Sequence, residues 1–187
     1  MRIEGREARV DFVLSIIEER KHRIITIDGP CASGKTTLVN DLRERIDFSL
    51  VSMDDFFLPP ELRKEERFRE KGGNVHYERF IEEVITPLKE KKAFSYRKFS
   101  CASFSYSGEV DVSPGGLVIV EGSYALHPKF EPYWDISILL SVESDEQIRR
   151  LTLRSPDKID MFIQRWIPLE NDYFSSCDIT SRATYMI

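Results

Sequence analysis

Between Arg23 and Arg43 the chain carries the stretch that most limits what it can fold into. Arg23-Ile24-Ile25-Thr26-Ile27-Asp28 is a short apolar run rich in β-branched residues, which predicts a buried strand. Gly29-Pro30-Cys31-Ala32-Ser33-Gly34-Lys35-Thr36-Thr37 follows at once, and Leu38-Val39-Asn40-Asp41-Leu42-Arg43 then suits a helix. The middle segment meets the Walker A pattern at every fixed position: Gly29, four variable residues, Gly34, Lys35 and Thr36. Its glycines let the chain wrap without Cβ clashes, so that successive N–H groups converge on phosphate oxygens. The N-terminus of the next helix adds partial positive charge at the same place. Gly29, Ala32, Ser33, Gly34, Lys35, Thr36 and Thr37 are therefore expected to contact a nucleotide. Lys35 would reach the outer phosphates and the Thr36 hydroxyl would sit on Mg²⁺. Cys31 contributes mainly its backbone.

With 187 residues there is length for one α/β domain with a sizeable core. The expected organisation is a single domain over 1–187, with a substrate-side insertion at 55–112 and a lid at 149–165. Composition excludes several classes. A net charge of −5 argues against a nucleic-acid surface. No run approaches the roughly 18 apolar residues of a membrane span, and the charged N-terminus lacks a signal-peptide core. Three cysteines, odd in number and far apart, give neither a disulfide framework nor metal spacing, so the expected setting is the reducing cytoplasm.

Residues 7–20 place Ala8, Phe12, Ile16 and Ile17 near helical spacing, as for an amphipathic helix packed on the sheet. Phe48 to Met53 reads as a second strand ending in Asp54-Asp55, at the edge where ligands of open α/β sheets gather. One of these acids would take the proton of an attacking hydroxyl; the alternative is a pair capping the turn before Leu58-Pro59-Pro60. Residues 61–71 are densely charged with both signs mixed. A helix through Phe80, Val84, Ile85 and Leu88 should bend or end at Pro87. Phe94 to Val112 fits either a small hairpin or an irregular wall. Leu117-Val118-Ile119-Val120 is a central parallel strand ending in Glu121, where a carboxylate beside the loop would act on the metal. Asp135 to Val142 is one more strand. Ser144 and Gln147 have capping-box spacing for a helix carrying Arg149, Arg150 and Arg154. A break at Ser155-Pro156 and a helix bearing Arg165 follow, and Asp178 to Ile187 is expected as a last strand.

With these residues in place, Ile24 to Phe174 resembles the uridine kinase and phosphoribulokinase family of P-loop kinases. Ser52-Met53-Asp54-Asp55-Phe56-Phe57 is similar to the family's Ser-x-Asp-x-Phe-Tyr, and Val120-Glu121-Gly122 to its Val-Glu-Gly. Ile148-Arg149-Arg150 with Arg154 resembles the arginines that open the lid. Trp166 to Phe174 is similar to the tail of a bacterial subgroup labelled uridine kinase-like. Asn74-Val75-His76-Tyr77 stands where uridine kinases have Asn-Phe-Asp-His-Pro, and Tyr96-Arg97-Lys98-Phe99 departs from the segment that frames the nucleoside.

The resemblance implies a doubly wound, mainly parallel α/β/α sandwich of the P-loop NTPase type, with ATP and Mg²⁺ as cofactors. It implies transfer of the γ-phosphoryl group to a small-molecule hydroxyl, first of all the 5′-hydroxyl of uridine or cytidine. Lys35, Asp54 and Arg154 would be catalytic, with Arg150 or Arg165 as understudies, and Thr36, Glu121 and Asp55 would lie at the metal. Asp54, His76, Tyr77, Arg97, Arg150 and Arg165 would line the acceptor side. Rival readings are a kinase for pantothenate, a sugar or a sugar phosphate, and a regulatory ATP-binding module; a homo-oligomer is left open.

Overall fold

The computed structural model describes residues 3, 5–20, 23–130 and 132–187. In chain order it holds α1 (Arg6–Arg20), β1 (Ile24–Asp28), α2 (Lys35–Arg43) and β2 (Ser49–Ser52). The short helices α3 (Glu65–Arg69), α4 (Tyr77–Phe80) and α5 (Thr86–Lys89) come next, then β3 (Phe94–Ser100), β4 (Ser105–Val112), β5 (Val118–Glu121) and β6 (Ile136–Leu139). The chain finishes with α6 (Ser144–Arg154), α7 (Ile159–Met161), α8 (Ile167–Ser176), α9 (Ile179–Arg182) and β7 (Tyr185–Met186).

Five strands form a sheet in the order β2-β5-β1-β6-β7, each described pair parallel. Strands buried on both faces need apolar residues at successive positions, and Ile25, Ile27, Val118, Ile119, Val120, Ile136 and Ile138 supply them. On one face Ile25, Ile27, Ile119 and Ile138 pack with Val10, Val13 and Ile16 of α1 and Leu38, Val39 and Leu42 of α2. On the other, Val51, Val118 and Val120 pack with Phe80, Val84, Leu88, Tyr173 and Ile179. The architecture is thus the expected three-layer α/β/α sandwich of a P-loop NTPase. Each fully buried Ile contributes about 1.5–3 kcal/mol of transfer free energy.

Four local expectations are corrected. The buried residues of α1 are Val10, Val13 and Ile16, while Ala8 is exposed and Phe12 and Ile17 only partly covered. Pro87 does not end its helix: residues 81–85 form a wide π turn into α5, Thr86 donates its hydroxyl to the Ile81 carbonyl at 2.9 Å, and the missing proline N–H is absorbed there. Glu143, not Ser144, occupies the N-cap of α6, and Gln147 turns its amide elsewhere. The final strand is only Tyr185–Met186, because Ile179–Arg182 coils into a helical turn. Residues 94–112 are a two-stranded antiparallel hairpin.

The fold is pinned at the carboxyl end of β1. Asp28 is fully buried and accepts from the amides of Gly29 (2.6 Å), Tyr124 (3.1 Å) and Leu126 (2.9 Å) and from the Tyr173 hydroxyl (2.7 Å). Burial pushes its pKa up to about 6, and the Tyr173 bond pulls the other way. Because the folded pKa lies above the unfolded one, Asp28 itself costs stability as pH rises through about 4 to 6. Tyr173 offsets that cost by favouring the ionised form. Tyr173→Phe is therefore expected to lose about 1.5–3 kcal/mol at pH 8, the range for a bond to a charged group, and distinctly less at pH 5. Urea unfolding at the two pH values measures this; an equal loss at both would contradict the linkage.

Candidate active site

The loop after β1 is shaped by close approach. Gly29 holds φ +149°, and a Cβ there would lie 2.6 Å from the Leu140 carbonyl oxygen, so no larger residue fits. Ser33 N–H donates to the Pro30 carbonyl at 3.1 Å, closing the turn, and α2 begins at Lys35. Helix geometry leaves the amides of that first turn without intrahelical partners, facing the loop's interior. The buried Lys35 ammonium donates to the carbonyls of Gly29 (2.7 Å) and Pro30 (3.0 Å) and to Ser123 Oγ (3.4 Å). Thr36 and Thr37 are exposed to the cleft.

Side chains from α6 and α8 hold the tip of the loop. Cys31 N–H donates to Glu170 Oε2 at 2.8 Å, Gln147 donates its amide to the Cys31 carbonyl at 2.9 Å, and Arg150 donates to the Ala32 carbonyl at 3.0 Å. Burial and the Glu170 charge push the Cys31 thiol up to about 12, so it stays protonated and acts through its backbone.

A cleft of about 880 Å³ runs over the loop. Ser52 pairs in register with Glu121, so the adjacent ends of β2 and β5 bring Asp54 and Glu121 to one wall. Gly122, at φ +137°, lets the turn holding Asp54 come close: a Cβ there would meet Met53 Cβ at 2.7 Å. Burial, and then the Asp54 charge, push the Glu121 pKa up to about 7, while Lys35 pulls it down. Asp54 is reached by water through the cleft, yet protein crowds it on most sides; that desolvation raises its pKa against the charges of Lys35 and Arg154. Across the cleft stand Arg150 and Arg154, the latter's guanidinium 5.8 Å from the Phe162 ring centre. Among the described residues no three His, Cys, Asp or Glu side chains form an all-protein metal cage.

No family model matches the chain. It is 28% identical to human nicotinamide riboside kinase 1 over 170 residues, covering 87% of this chain and 82% of that one. It is 27% identical to uridine-cytidine kinase D of Dictyostelium discoideum over 132 residues, 67% of this chain but only a quarter (25%) of that longer protein. A structure described as a possible uridine kinase from Bacillus stearothermophilus superposes with TM-score 0.73 over 97% of this chain and 98% of that one, at 22% identity. In sequence and fold, the chain is similar to uridine kinase-like P-loop kinases.

Of the residues singled out in the sequence, Ala32 to Thr37, Asp54, Glu121, Arg150 and Arg154 line one cleft, while Gly29 shapes the loop behind it. Other residues singled out in the sequence lie elsewhere. Asp55 is turned to the hairpin, where the Tyr96 hydroxyl donates to it at 3.1 Å. His76 caps α4 by accepting the Arg79 amide at 3.2 Å. Tyr77 donates to Glu70 at 2.8 Å under the Arg67 guanidinium, 3.6 Å from its ring centre. Arg97 is exposed and stacks on Tyr106. Arg165 lies over Phe68 and Trp166, at the cleft's margin. The roles of Asp28, Ser123, Gln147, Glu170 and Tyr173 at the loop carry no local signature in the sequence. Glu170 and Tyr173 fall within the Trp166–Phe174 tail, whose resemblance was the available signal; Gln147 was read only as a cap.

Glu170→Ala strips the Cys31 amide of its acceptor. The expected loss is about 1–3 kcal/mol in urea unfolding, with faster amide hydrogen exchange across residues 30–33. Unchanged stability and exchange would show that the loop does not lean on α8.

Proposed function

We propose that this chain transfers the γ-phosphoryl group of ATP to a hydroxyl of a small molecule, a nucleoside 5′-hydroxyl foremost. One observation carries the reading: Lys35, Asp54 and Glu121 share a single cleft with the phosphate-binding loop. Phosphoryl transfer asks a protein chiefly for positioning and charge neutralisation. Lys35 exchanges its carbonyl partners for β- and γ-phosphate oxygens. Asp54 aligns the acceptor hydroxyl and receives its proton as oxygen attacks phosphorus. Arg154 meets the charge on the transferring group, in a lid formed by residues 149–165.

The chemistry of the acids suits a divalent cation, since the Glu121 carboxyl is raised by burial and by its acidic neighbour and has the exposed Thr36 hydroxyl in the same cleft. Thr36 and Glu121 would hold Mg²⁺, which when bound neutralises charge on the phosphate oxygens.

The acceptor side, drawn from residues 55–112, supports an uncharged, planar ligand. Phe68 and Phe104 line the cleft there. Of the cations Arg63, Lys64, Arg67 and Arg69, only Arg63 lines it, and that guanidinium already donates to the Leu58 carbonyl and lies 4.9 Å from the Phe104 ring centre. Arg67 and Arg69 are paired with Glu78 and Glu65. The relatives' names point to ribosides as well. The thiols of Cys31, Cys101 and Cys177 are free, which suits a cytoplasmic setting.

An ADP-release assay across uridine, cytidine, nicotinamide riboside, pantothenate and fructose should show stimulation by the ribosides. Stimulation by a non-riboside alone would overturn the acceptor assignment, and ATP binding without any stimulation would favour a regulatory module. Asp54→Asn should lower kcat by about 10²–10⁴-fold while ATP affinity stays. Because the raised pKa leaves Asp54 partly protonated in acid, wild-type kcat/KM should climb with pH through the acid range, and the variant's profile should lose that limb. Full turnover by Asp54→Asn would remove the base assignment.

A further inference from the structure

The N-terminal helix α1 plays no part in the site described so far, yet Arg6 and Arg9 on it reach that site. Arg9 lines the same cleft as the loop. Arg6, Glu7 and Asp11 on this helix are already paired with α2 or with the residues just after it. Arg6 makes a two-pronged bond to Asp41 (2.7 and 2.5 Å), and Arg45 bonds Glu7 and Asp11, the latter at 3.2 Å. These pairs lock α1 onto the helix that follows the loop and consume the nearby carboxylates. Arg9 is left with a 3.4 Å bond from its Nε to the Ile3 carbonyl, and no carboxylate pairs with it among the described residues. Half-buried, it faces a second cation: burial, and then the charge of Arg150, lower its pKa. Arg150 is fixed by Glu146 at 2.7 Å and by the Ala32 carbonyl. Two guanidiniums at one wall of a cleft, one of them lacking an acid, suit a ligand that brings a π face and negative charge.

Topology says which part of the ligand that is. In the sheet order β2-β5-β1-β6-β7, the loop follows β1, Asp54 follows β2 on one side, and Arg150 follows β6 on the other. Helix α1 covers the β6–β7 side, where Phe12 meets Tyr185 edge to face at 5.3 Å. With phosphates on the loop and the acceptor beside Asp54, the nucleoside end of the donor extends toward α6 and α1. We propose that Arg9 is a donor-nucleotide-binding residue, its guanidinium packing with that of Arg150 on the base-and-ribose end of the nucleotide whose phosphates occupy Gly29–Thr37.

This rests on the ATP-donor reading above, and its test separates the two. Calorimetry on the full chain compares MgADP with inorganic tripolyphosphate for wild type, Arg9→Ala and Arg9→Gln. Both variants should bind ADP about tenfold more weakly, in the range of one guanidinium contact, and tripolyphosphate within about twofold of wild type. In turnover the KM for ATP should rise by a similar factor with kcat unchanged. Wild-type affinity for ADP in both variants would overturn the role of Arg9 alone, as would an equal loss for both ligands. A wild-type chain that binds neither ligand would instead overturn the donor reading on which this proposal stands.

Discussion

A carboxylate with no salt-bridge partner among the described residues, buried at the end of the first strand, holds this molecule together where it matters. Asp28 gathers three amides and a phenol from three separate segments: the loop, the turn after β5, and α8. Burying an ion is costly unless its oxygens are saturated, and the raised pKa of about 6 records how nearly the four donors compensate. Because the four donors come from three different parts of the chain, satisfying one acid fixes the relative positions of all three. The loop therefore inherits its register from the sheet, and α8 is brought to where Glu170 can hold the Cys31 amide.

The same economy governs the charges in the cleft. Lys35 is buried and held by the Gly29 and Pro30 carbonyls and the Ser123 hydroxyl, so its position inside the loop is fixed by the protein itself. Asp54 and Glu121, each raised by burial, sit within the field of that one lysine. A polyphosphate accompanied by a cation would relieve both imbalances at once. The second layer supports this constellation: buried Arg79 bonds the Asp55 carbonyl (3.0 Å), Glu83 (2.9 Å) and the Arg97 carbonyl, and lies over the Phe56 ring. It ties the turn that presents Asp54 to the hairpin and to the helical segment beyond α4.

Local chemistry made much of this legible in the sequence. A β-branched run, a glycine-framed loop and a helix-forming segment in immediate succession permit essentially one supersecondary unit, and Glu121 and Asp54 followed as acids at the ends of adjacent parallel strands. Side chains whose partners lie far along the chain could not be read that way. Asp28 is 145 positions from Tyr173, and Cys31 is 139 from Glu170; no local pattern encodes such pairings. His76 and Tyr77 looked like acceptor residues because of their neighbours in sequence, whereas one caps a helix and the other is sealed under Arg67. Pro87 disturbs its helix without ending it at once, since a widened turn absorbs what a regular helix would not. Asp55, one residue from Asp54, faces the hairpin instead of the cleft because the two lie on successive positions of a tight 3₁₀ turn.

The central claim is that the Gly29–Thr37 loop, with Lys35 poised inside it, grips a triphosphate. Calorimetric titration of wild type and Lys35→Ala with a non-hydrolysable MgATP analogue tests it most directly. Saturable one-to-one binding by wild type, weakened about tenfold or more in the variant, is the predicted result. Equal affinity in the two proteins, or no binding by wild type, would contradict it.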